Sequence, residues 1–171
     1  NPGKVVTSIV LGTKRVYDFV NHNPLVELHP LSYTNNPVMI SHNPHFVAVN
    51  ATLEVDLFGQ CASESIGYQY YSGTGGQVDF CRGAMHSRGG KSFLVLPSTY
   101  NQGRCSRIVP YLKPGSIVSV TKNDTDYVVT EYGIAHLRGK NLRQRAQELI
   151  AIAHPDFRME LRQEAKKMAL I

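Results

Sequence analysis

The segment Gly73-Thr74-Gly75-Gly76, called here the glycine turn, constrains this chain more than any other stretch. Three glycines in four residues allow positive φ angles and leave the main-chain N–H groups unobstructed by a Cβ atom. The residues that follow, 77–86, predict a short helix that the glycines at 89 and 90 end. N–H groups at a helix N-terminus carry partial positive charge, so the turn can receive a phosphate, a carboxylate or a developing oxyanion. It matches neither GxGxxG nor GxxxxGK[ST], so a tight connection without a ligand also stays open.

Length and cysteine usage indicate one globular domain in a reducing setting. The chain has 171 residues, 42% of them hydrophobic, which is enough for a core. Its three cysteines, Cys61, Cys81 and Cys105, show no CxxC spacing, and its seven histidines show no HExxH, so we predict neither a disulfide framework nor a metal site. No apolar run approaches the roughly 20 residues of a membrane span. The turn-like start at Asn1, without a signal peptide, predicts a cytoplasmic fragment with further protein upstream.

The charge balance favours an anionic partner. The net charge is +5, and Lys and Arg outnumber acids most clearly between residues 82 and 145. These cations are scattered singly, with no RNP, zinc-finger or helix-turn-helix pattern, so nucleic acid is not predicted. A phosphorylated cofactor or substrate fits the charge.

Apolar periodicity predicts an α/β protein. Thr13, Asn141 and Asp156 stand where helix caps are expected, and Pro30, Pro97 and Pro110 stop or mark strands. The predicted strands are 5–10 (largely buried), 25–28, 46–57, 91–96, 106–110 (an edge), 117–120 and 127–130; the predicted helices are 14–22, 77–86, 142–153 and 156–170.

Several acids are candidates for chemistry. Glu131 follows a predicted strand and precedes a glycine, at the edge where α/β sheets bind ligands, although a solvated loop acid is an equal alternative. Glu54 and Asp56 alternate along the predicted strand 46–57, and a solvent-exposed strand face explains them most simply. Glu64 is a further candidate acid, whereas Asp79 suits the helix dipole better than catalysis. No GxSxG surrounds any serine, so a serine hydrolase is not indicated.

Seven short motifs follow one another along the chain. They are Asn35-Asn36-Pro37, Glu54-Val55-Asp56-Leu57-Phe58-Gly59-Gln60, Ser63-Glu64-Ser65, Gly73-Thr74-Gly75-Gly76-Gln77-Val78-Asp79-Phe80, Arg82-Gly83-Ala84, Val129-Thr130-Glu131-Tyr132-Gly133-Ile134-Ala135 and Leu137-Arg138-Gly139. Taken together and in this order, they resemble the C-terminal domain of the acetyl-CoA hydrolase/transferase family. Within that family, the 4-hydroxybutyrate and butyryl-CoA:acetate CoA-transferases are the most similar, and the resemblance covers residues 2–157.

The resemblance implies a class I CoA-transferase and its fold. The expected fold is α/β, a three-layer NagB/RpiA/CoA-transferase-like domain with a mostly parallel sheet and C-terminal helices. Residues 1–171 would form the C-terminal domain, facing a similar N-terminal domain of the same protein. The expected substrates are an acyl-CoA and a small carboxylate, with no permanently bound cofactor, and a homodimer is expected. A glutamate would attack the thioester, and CoA would then be carried as a glutamyl-CoA thioester to a second carboxylate.

The same resemblance implies roles for individual residues. Gly75 and Gly76 match the oxyanion-binding turn, with Gly76 the better candidate donor. Asn35 matches an amide beside the catalytic carboxylate, and Glu131 matches an acid that orients that carboxylate. The nucleophilic glutamate is expected upstream of this chain and is not Glu64, so the fragment alone is expected to be inactive.

Coenzyme A would be bound by the glycine turn and by basic side chains. The residues expected to contact it are Gly73, Gln77, Arg82, Arg104 and Lys140, with Arg107 a further candidate. Two alternatives stay open. Water in place of the second carboxylate would make the same site an acetyl-CoA hydrolase, and a non-catalytic phosphate- or nucleotide-binding module would need no covalent step.

Overall fold

The computed structural model describes residues 1–171, which form six helices and thirteen short strands. The helices are α1 (Lys14–Val20), α2 (Leu31–Thr34), α3 (Pro37–Ser41), α4 (Gln77–His86), α5 (Leu142–Ile152) and α6 (Pro155–Lys167). The strands are β1 (Val5–Thr7), β2 (Val26–Leu28), β3 (Val47–Ala51), β4 (Glu54–Asp56), β5 (Cys61–Ala62), β6 (Ser65–Ile66), β7 (Gln69–Tyr70), β8 (Lys91–Val95), β9 (Thr99–Tyr100), β10 (Cys105–Ser106), β11 (Ile108–Val109), β12 (Tyr127–Thr130) and β13 (Gly133–His136). The predicted α/β class is confirmed.

A four-stranded sheet of order β13-β12-β8-β3 forms the centre of the chain. β3 pairs parallel with β8 and β8 parallel with β12, while β13 returns antiparallel along the edge. The predicted mostly parallel sheet is therefore present. A parallel pair needs a crossover, and α4 supplies it between β3 and β8, packing against both. The carboxyl ends of β3, β8 and β12 consequently meet at one edge of the sheet.

The core joins this sheet to a smaller one, of order β11-β4-β5, and to the two C-terminal helices. Its fully buried members include Val55 on β4, Leu94 on β8, Val128 on β12 and Leu149 on α5. Each such side chain contributes about 1.5–3 kcal/mol by leaving water. Leu161 on α6 completes the packing, so the predicted C-terminal helices are part of the core.

The predicted strand 46–57 is wrong as a single element. β3 ends at Ala51 and β4 begins at Glu54, and the two strands lie in different sheets. The chain changes sheets at Thr52, whose hydroxyl and whose neighbour's N–H both bind the carbonyl oxygen of Ala62. Glu54 and Asp56 are also fully buried, which contradicts the predicted solvent-exposed face.

Three other elements also differ from the prediction. Residues 117–120 form no strand and make only one isolated bridge, between Cys61 and Val120. β13, which follows β12 through a tight turn, was not predicted. The last helix begins at Pro155, and its N-cap is His154, whose side chain accepts from the Asp156 N–H; Asp156 is therefore not the cap.

The helix-capping pattern at Asn141 is confirmed. Its side chain accepts from the N–H of Gln144, and the Gln144 side chain binds the Asn141 N–H in return, giving a capping box for α5. Thr13 stands at the N-cap of α1 but makes no side-chain capping bond.

Residues 1–39 contain no buried side chain. β1 and β2 form an isolated parallel pair of three residues each, so the prediction of a largely buried first strand is wrong for this chain. Large apolar side chains stay exposed throughout the segment, including Ile9 at 61%, Leu11 at 84% and Phe19 at 53%. Isolated two-stranded parallel pairs are not stable units, because parallel strands are normally buried on both faces.

Helix α3 packs tightly against α4 at a glycine. Gly83 is buried in α4, and a Cβ atom there would overlap the Ile40 side chain of α3. The N-cap of α3 is Asn36, whose side chain accepts from the N–H of Val38. This contact fixes α3, and the residues that lead into it, beside the helix that follows the glycine turn.

The helices are all too short or too polar to cross a bilayer. The three cysteines are unpaired. Burial raises the pKa of the Cys61 thiol far above its usual value and also raises that of Cys81, so both thiols stay protonated in the core.

Candidate active site

The glycine turn presents main-chain donors without acceptors. The N–H groups of Gly75 and Gly76 make no hydrogen bond within the chain, and neither do those of Gln77, Val78 and Asp79 in the first turn of α4. Gly76 occupies the N-cap position, where no side chain can satisfy these donors. The positive end of the helix dipole therefore faces outward at the turn, ready for an anion.

Glycine is needed at position 76 for space and not for its backbone freedom. The φ of Gly76 is −79°, which any residue adopts, and neither Gly73 nor Gly75 has a positive φ. A Cβ atom on Gly76, however, would overlap Nδ2 of Asn35 and lie 3.2 Å from the Phe80 ring. The absence of a side chain thus lets the Asn35 amide approach the turn.

Asn35 lies between α2 and α3 and contributes a further donor. Its Oδ1 accepts from the Thr34 hydroxyl at 3.0 Å, which leaves Nδ2 as the group directed at Gly76, and Nδ2 has no acceptor in the chain. Capping is done by the next residue, Asn36, so turn chemistry does not account for the Asn35 side chain. The structure thus brings together Asn35, Gly75 and Gly76, three of the residues to which the family resemblance gives a role.

These donors line an open groove of about 1740 Å³, called here the groove. One wall is formed by the N-terminal segment with α2 and α3, including Val6 and Ile9, and the other by the start of α4. Asn50 at the end of β3 lies in the groove, and the Gln77 side chain donates to the Ala51 carbonyl at 2.9 Å. The glycine turn is therefore seated at the carboxyl edge of the central sheet.

Glu131 lies at the same sheet edge but not in the groove. It follows β12, and its carboxylate accepts from both the N–H and the hydroxyl of Ser98, which follows β8. Partial desolvation works against ionisation, yet the bonds from the Ser98 hydroxyl, the Glu131 main chain and the Ser98 N–H together outweigh it and hold the pKa of Glu131 below its usual value. Glu131 does not contact Asn35 or Gly76, since β8 separates β12 from β3.

Ser98 is a residue that sequence reasoning missed as a partner of Glu131. The two are 33 positions apart, and only the parallel pairing of β8 with β12 brings them together. The available signal was Pro97, which directly precedes Ser98 and marks the end of β8, as Glu131 follows the end of β12.

Two of the predicted coenzyme A cations are already paired. Arg82 binds Asp124 through two hydrogen bonds of 3.0 and 3.1 Å, and these bonds lower the pKa of Asp124. Lys140 binds Glu148, whose pKa is lowered chiefly by that contact. These side chains meet an added phosphate only in competition with a carboxylate.

The other two candidate cations, Arg107 and Arg104, differ in whether their side chains already have partners. Arg107 donates to the Leu53 carbonyl at 2.7 Å and stacks over the Tyr100 ring, so it has a structural role. Arg104 is exposed and makes no side-chain hydrogen bond or ion pair. A Cβ atom on Gly73, at the start of the turn, would meet nothing within 4 Å, so this residue is open to a ligand.

The acids on β4 are structural. Asp56 accepts from the N–H groups of Phe58 and Gln60 and from the Gln60 side chain, which closes the loop after the strand. Burial raises the pKa of Asp56, against the effect of these bonds. Burial likewise raises the pKa of Glu54, whose Oε1 has no partner and whose Oε2 meets only the Lys113 N–H, at 3.5 Å.

Comparison with known proteins gives the class to which this arrangement belongs. Residues 12–165 match the model of the acetyl-CoA hydrolase/transferase C-terminal domain, and the chain is a member of that family. The resemblance inferred from the sequence motifs is thereby confirmed.

Individual relatives are similar over nearly the whole chain. It is 57% identical over 166 residues to the succinyl-CoA:cyclohexane-1-carboxylate CoA transferase of Geobacter metallireducens, covering 97% of this chain and 38% of that protein. It is 54% identical over 167 residues to the 4-hydroxybutyrate coenzyme A transferase of Clostridium kluyveri, covering 98% of this chain and 39% of that protein. The crystal structure of RipA from Yersinia pestis superposes with a TM-score of 0.93 at 43% identity, covering 99% of this chain and 38% of that one. The chain therefore spans less than half the length of the relatives it matches.

Proposed function

We propose that residues 1–171 are the C-terminal domain of an acyl-CoA:carboxylate CoA-transferase and supply the oxyanion-binding groups of its active site. The observation that carries this proposal is the set of unsatisfied donors in one groove, the N–H groups of Gly75 and Gly76 and the side-chain amide of Asn35. Family membership and the names of the relatives support the reaction class.

The reaction has a need that these donors meet. A glutamate carboxylate, outside this chain, attacks the thioester carbonyl carbon; the carbonyl oxygen becomes an oxyanion, and the C–S bond then breaks to release CoA thiolate. The thiolate attacks the glutamyl carbonyl of the resulting anhydride, expelling the acyl carboxylate and leaving a glutamyl-CoA thioester. The second carboxylate runs the same steps in reverse and leaves with CoA. Preorganised N–H donors stabilise each oxyanion, and one such donor is commonly worth about 10²–10³ in rate.

Other residues take supporting roles in the proposal. Glu131, kept ionised by Ser98, orients groups at the sheet edge once the nucleophile enters from the other domain. Gly73 and Gln77 contact coenzyme A at the turn. Among the cations, Arg104 is the best phosphate contact because it has no other partner, whereas Arg82 and Lys140 must exchange a carboxylate for a phosphate.

The exposed N-terminal segment is where we propose that the N-terminal domain of the same protein binds. The parallel pair β1-β2 has free edges, and the apolar side chains around it, including Ile9, Leu11 and Phe19, have no cover within residues 1–171. Parallel strands with apolar faces are stable when further strands and helices cover them. The relatives are long enough to provide that cover, since the chain spans 38% of one of them. The assembled protein is proposed to be a homodimer and, given its unpaired cysteines, cytoplasmic.

The test is CoA transfer by the full-length protein and by residues 1–171 alone. We expect the full-length protein to move CoA from butyryl-CoA to acetate and to carry a covalent CoA adduct visible by mass spectrometry, and the fragment to do neither. Turnover that does not depend on acetate would identify a hydrolase instead. Absence of both turnover and adduct would contradict the proposal, and turnover by the fragment would contradict the assignment of the nucleophile to the missing part.

A further inference from the structure

One residue makes every hydrogen bond of the segment that leads into the glycine turn. The N–H groups of Tyr71 and Ser72 donate to the main-chain oxygen of Glu64 at 2.8 and 3.3 Å. The hydroxyl of Thr74, inside the turn, donates to Oε2 of Glu64 at 3.0 Å. No other hydrogen bond involves residues 71–75.

Glu64 itself is firmly held. The N–H of Ser63 donates to the Ser119 hydroxyl at 3.0 Å, and the fully buried Ser65 hydroxyl accepts from the N–H of Ile117 at 2.8 Å. These bonds join both neighbours of Glu64 to residues 116–120. The segment that carries Glu64 is therefore a fixed platform beside the turn.

No other contact in the fold accounts for the burial of the Glu64 carboxylate. It is only 8% exposed and makes no ion pair, although burying a carboxylate without a cation is costly. The Thr74 hydroxyl is its only side-chain partner. On this side of the turn, Glu64 and Thr74 also line a second pocket, of about 280 Å³, which adjoins the groove and shares the glycine turn with it.

The turn has little else to fix its direction. A Cβ atom on Gly73 or Gly75 would meet nothing within 4 Å, so packing does not hold these residues. Glycines also have the widest backbone freedom of any residue. The direction of the Gly75 and Gly76 N–H groups therefore depends on the start of α4 at one end of the turn and on the Thr74–Glu64 bond in its middle. At the start of α4, the Gly76 carbonyl accepts from the Phe80 N–H and the Gln77 side chain donates to the Ala51 carbonyl.

We propose that Glu64 is a positioning residue that aims the glycine turn at the reacting oxygen through its hydrogen bond with Thr74. The inference rests on the proposed CoA-transferase function. It assigns Glu64 no chemical step: its carboxylate holds the turn, and the turn holds the oxyanion. A displacement of about 1 Å can cost up to about 100-fold in rate, so loss of this bond should affect turnover more than binding.

The test uses the full-length protein carrying Thr74→Val, which removes the hydroxyl with little change in shape. We expect kcat for CoA transfer to fall about 10- to 100-fold while KM for the acyl-CoA changes less than about threefold. Thr74→Ser keeps the hydroxyl and should retain activity, and Glu64→Gln keeps an acceptor oxygen and should lose less than Glu64→Ala. The matched control is Ser72→Ala, which removes a hydroxyl with no hydrogen bond from the same segment and should leave kcat unchanged.

Hydrogen exchange measured by mass spectrometry gives a readout independent of activity. Peptides containing Tyr71 and Ser72 should exchange faster in Thr74→Val and Glu64→Ala, and at the wild-type rate in Thr74→Ser. Unchanged exchange in Thr74→Val, or an unchanged kcat despite faster exchange, would overturn the positioning role. If the wild-type protein transfers no CoA, the proposed function fails, and the exchange rates alone then decide whether Glu64 holds the turn.

Discussion

Replacing Gly76 with alanine tests the central feature of the site, the close approach of the Asn35 amide to the glycine turn. The added methyl group would overlap Nδ2 of Asn35 and lie 3.2 Å from Cε2 of Phe80. The main-chain N–H is retained, and a φ of −79° suits alanine, so the backbone is not strained. The change therefore displaces one side chain and little else.

The size of the effect differs between stability and rate. The Asn35 side chain can rotate away, which limits the cost of the overlap. Alanine also restricts the unfolded chain, which stabilises the folded protein by about 0.4–1 kcal/mol, so the free energy of unfolding should change by no more than about 1 kcal/mol. Loss of an oxyanion donor costs about 2.7–4 kcal/mol, or about 10²–10³ in kcat. The activity should thus collapse in a protein that melts near the wild-type temperature.

The assay compares initial rates of CoA transfer from butyryl-CoA to acetate with thermal melting followed by circular dichroism, on the full-length protein. Gly75→Ala is the comparison, because a Cβ there meets nothing within 4 Å and the N–H is kept. We expect it to lose less than about tenfold, a barrier change below about 1.4 kcal/mol. Asn35→Ala combined with Gly76→Ala should lose no more than Asn35→Ala alone, since both act through one amide.

Two results would refute this reasoning. Full activity in Gly76→Ala would mean that the Asn35 amide is not needed where it lies. Equal losses in Gly75→Ala and Gly76→Ala would mean that any side chain in the turn is harmful, whatever it touches.

Three further predictions concern ionisable groups, each measured on the full-length protein. Ser98→Ala should raise the pKa of Glu131 and move the acidic limb of the kcat/KM profile to higher pH; an unmoved limb would exclude Glu131 from the reaction. Arg82→Ala should cost about 1 kcal/mol of unfolding free energy near pH 7, because Arg82 lowers the pKa of Asp124 in the fold; the loss should vanish as pH falls below that lowered value, and a pH-independent loss would contradict it. Glu54→Gln should stabilise the protein by about 1–2 kcal/mol near pH 7. Burial raises the pKa of Glu54 in the folded protein, so the free energy of unfolding falls as pH rises above the unfolded pKa of about 4.3, and glutamine removes that loss. Destabilisation in urea melts would contradict this.

The sequence predicted the elements with local signals best. The capping residues around α5, the helix after the glycine turn and the strand β12 depend on neighbours within a few positions, and their positions were predicted to within a few residues. The division of 46–57 into β3 and β4 could not be predicted in this way. Thr52 and Leu53 are good strand residues, and only their bonds to Ala62, in another sheet, show that the chain has changed direction.

The site was predictable where it is formed by a motif and not where it depends on pairing. Asn35 and Gly76 each stand in a recognisable motif, but their contact requires α3 to lie against α4, which no spacing reveals. The pairing of Arg82 with Asp124 was equally hidden, because 42 positions separate them. Charge patterns predicted that cations would be present, and the fold decided which of them are free.

The contact between Gly83 and Ile40 sets the spacing of the whole groove. Gly83 lies nearly two turns along α4 from the first residue of that helix and touches none of the proposed site residues, yet any side chain there would act as a wedge against α3. Pushing α3 outward would draw Asn35 away from Gly76 and widen the groove. The absence of a methyl group at Gly83, remote from the proposed chemistry, thus limits the distance between α3 and α4, the two walls of the groove.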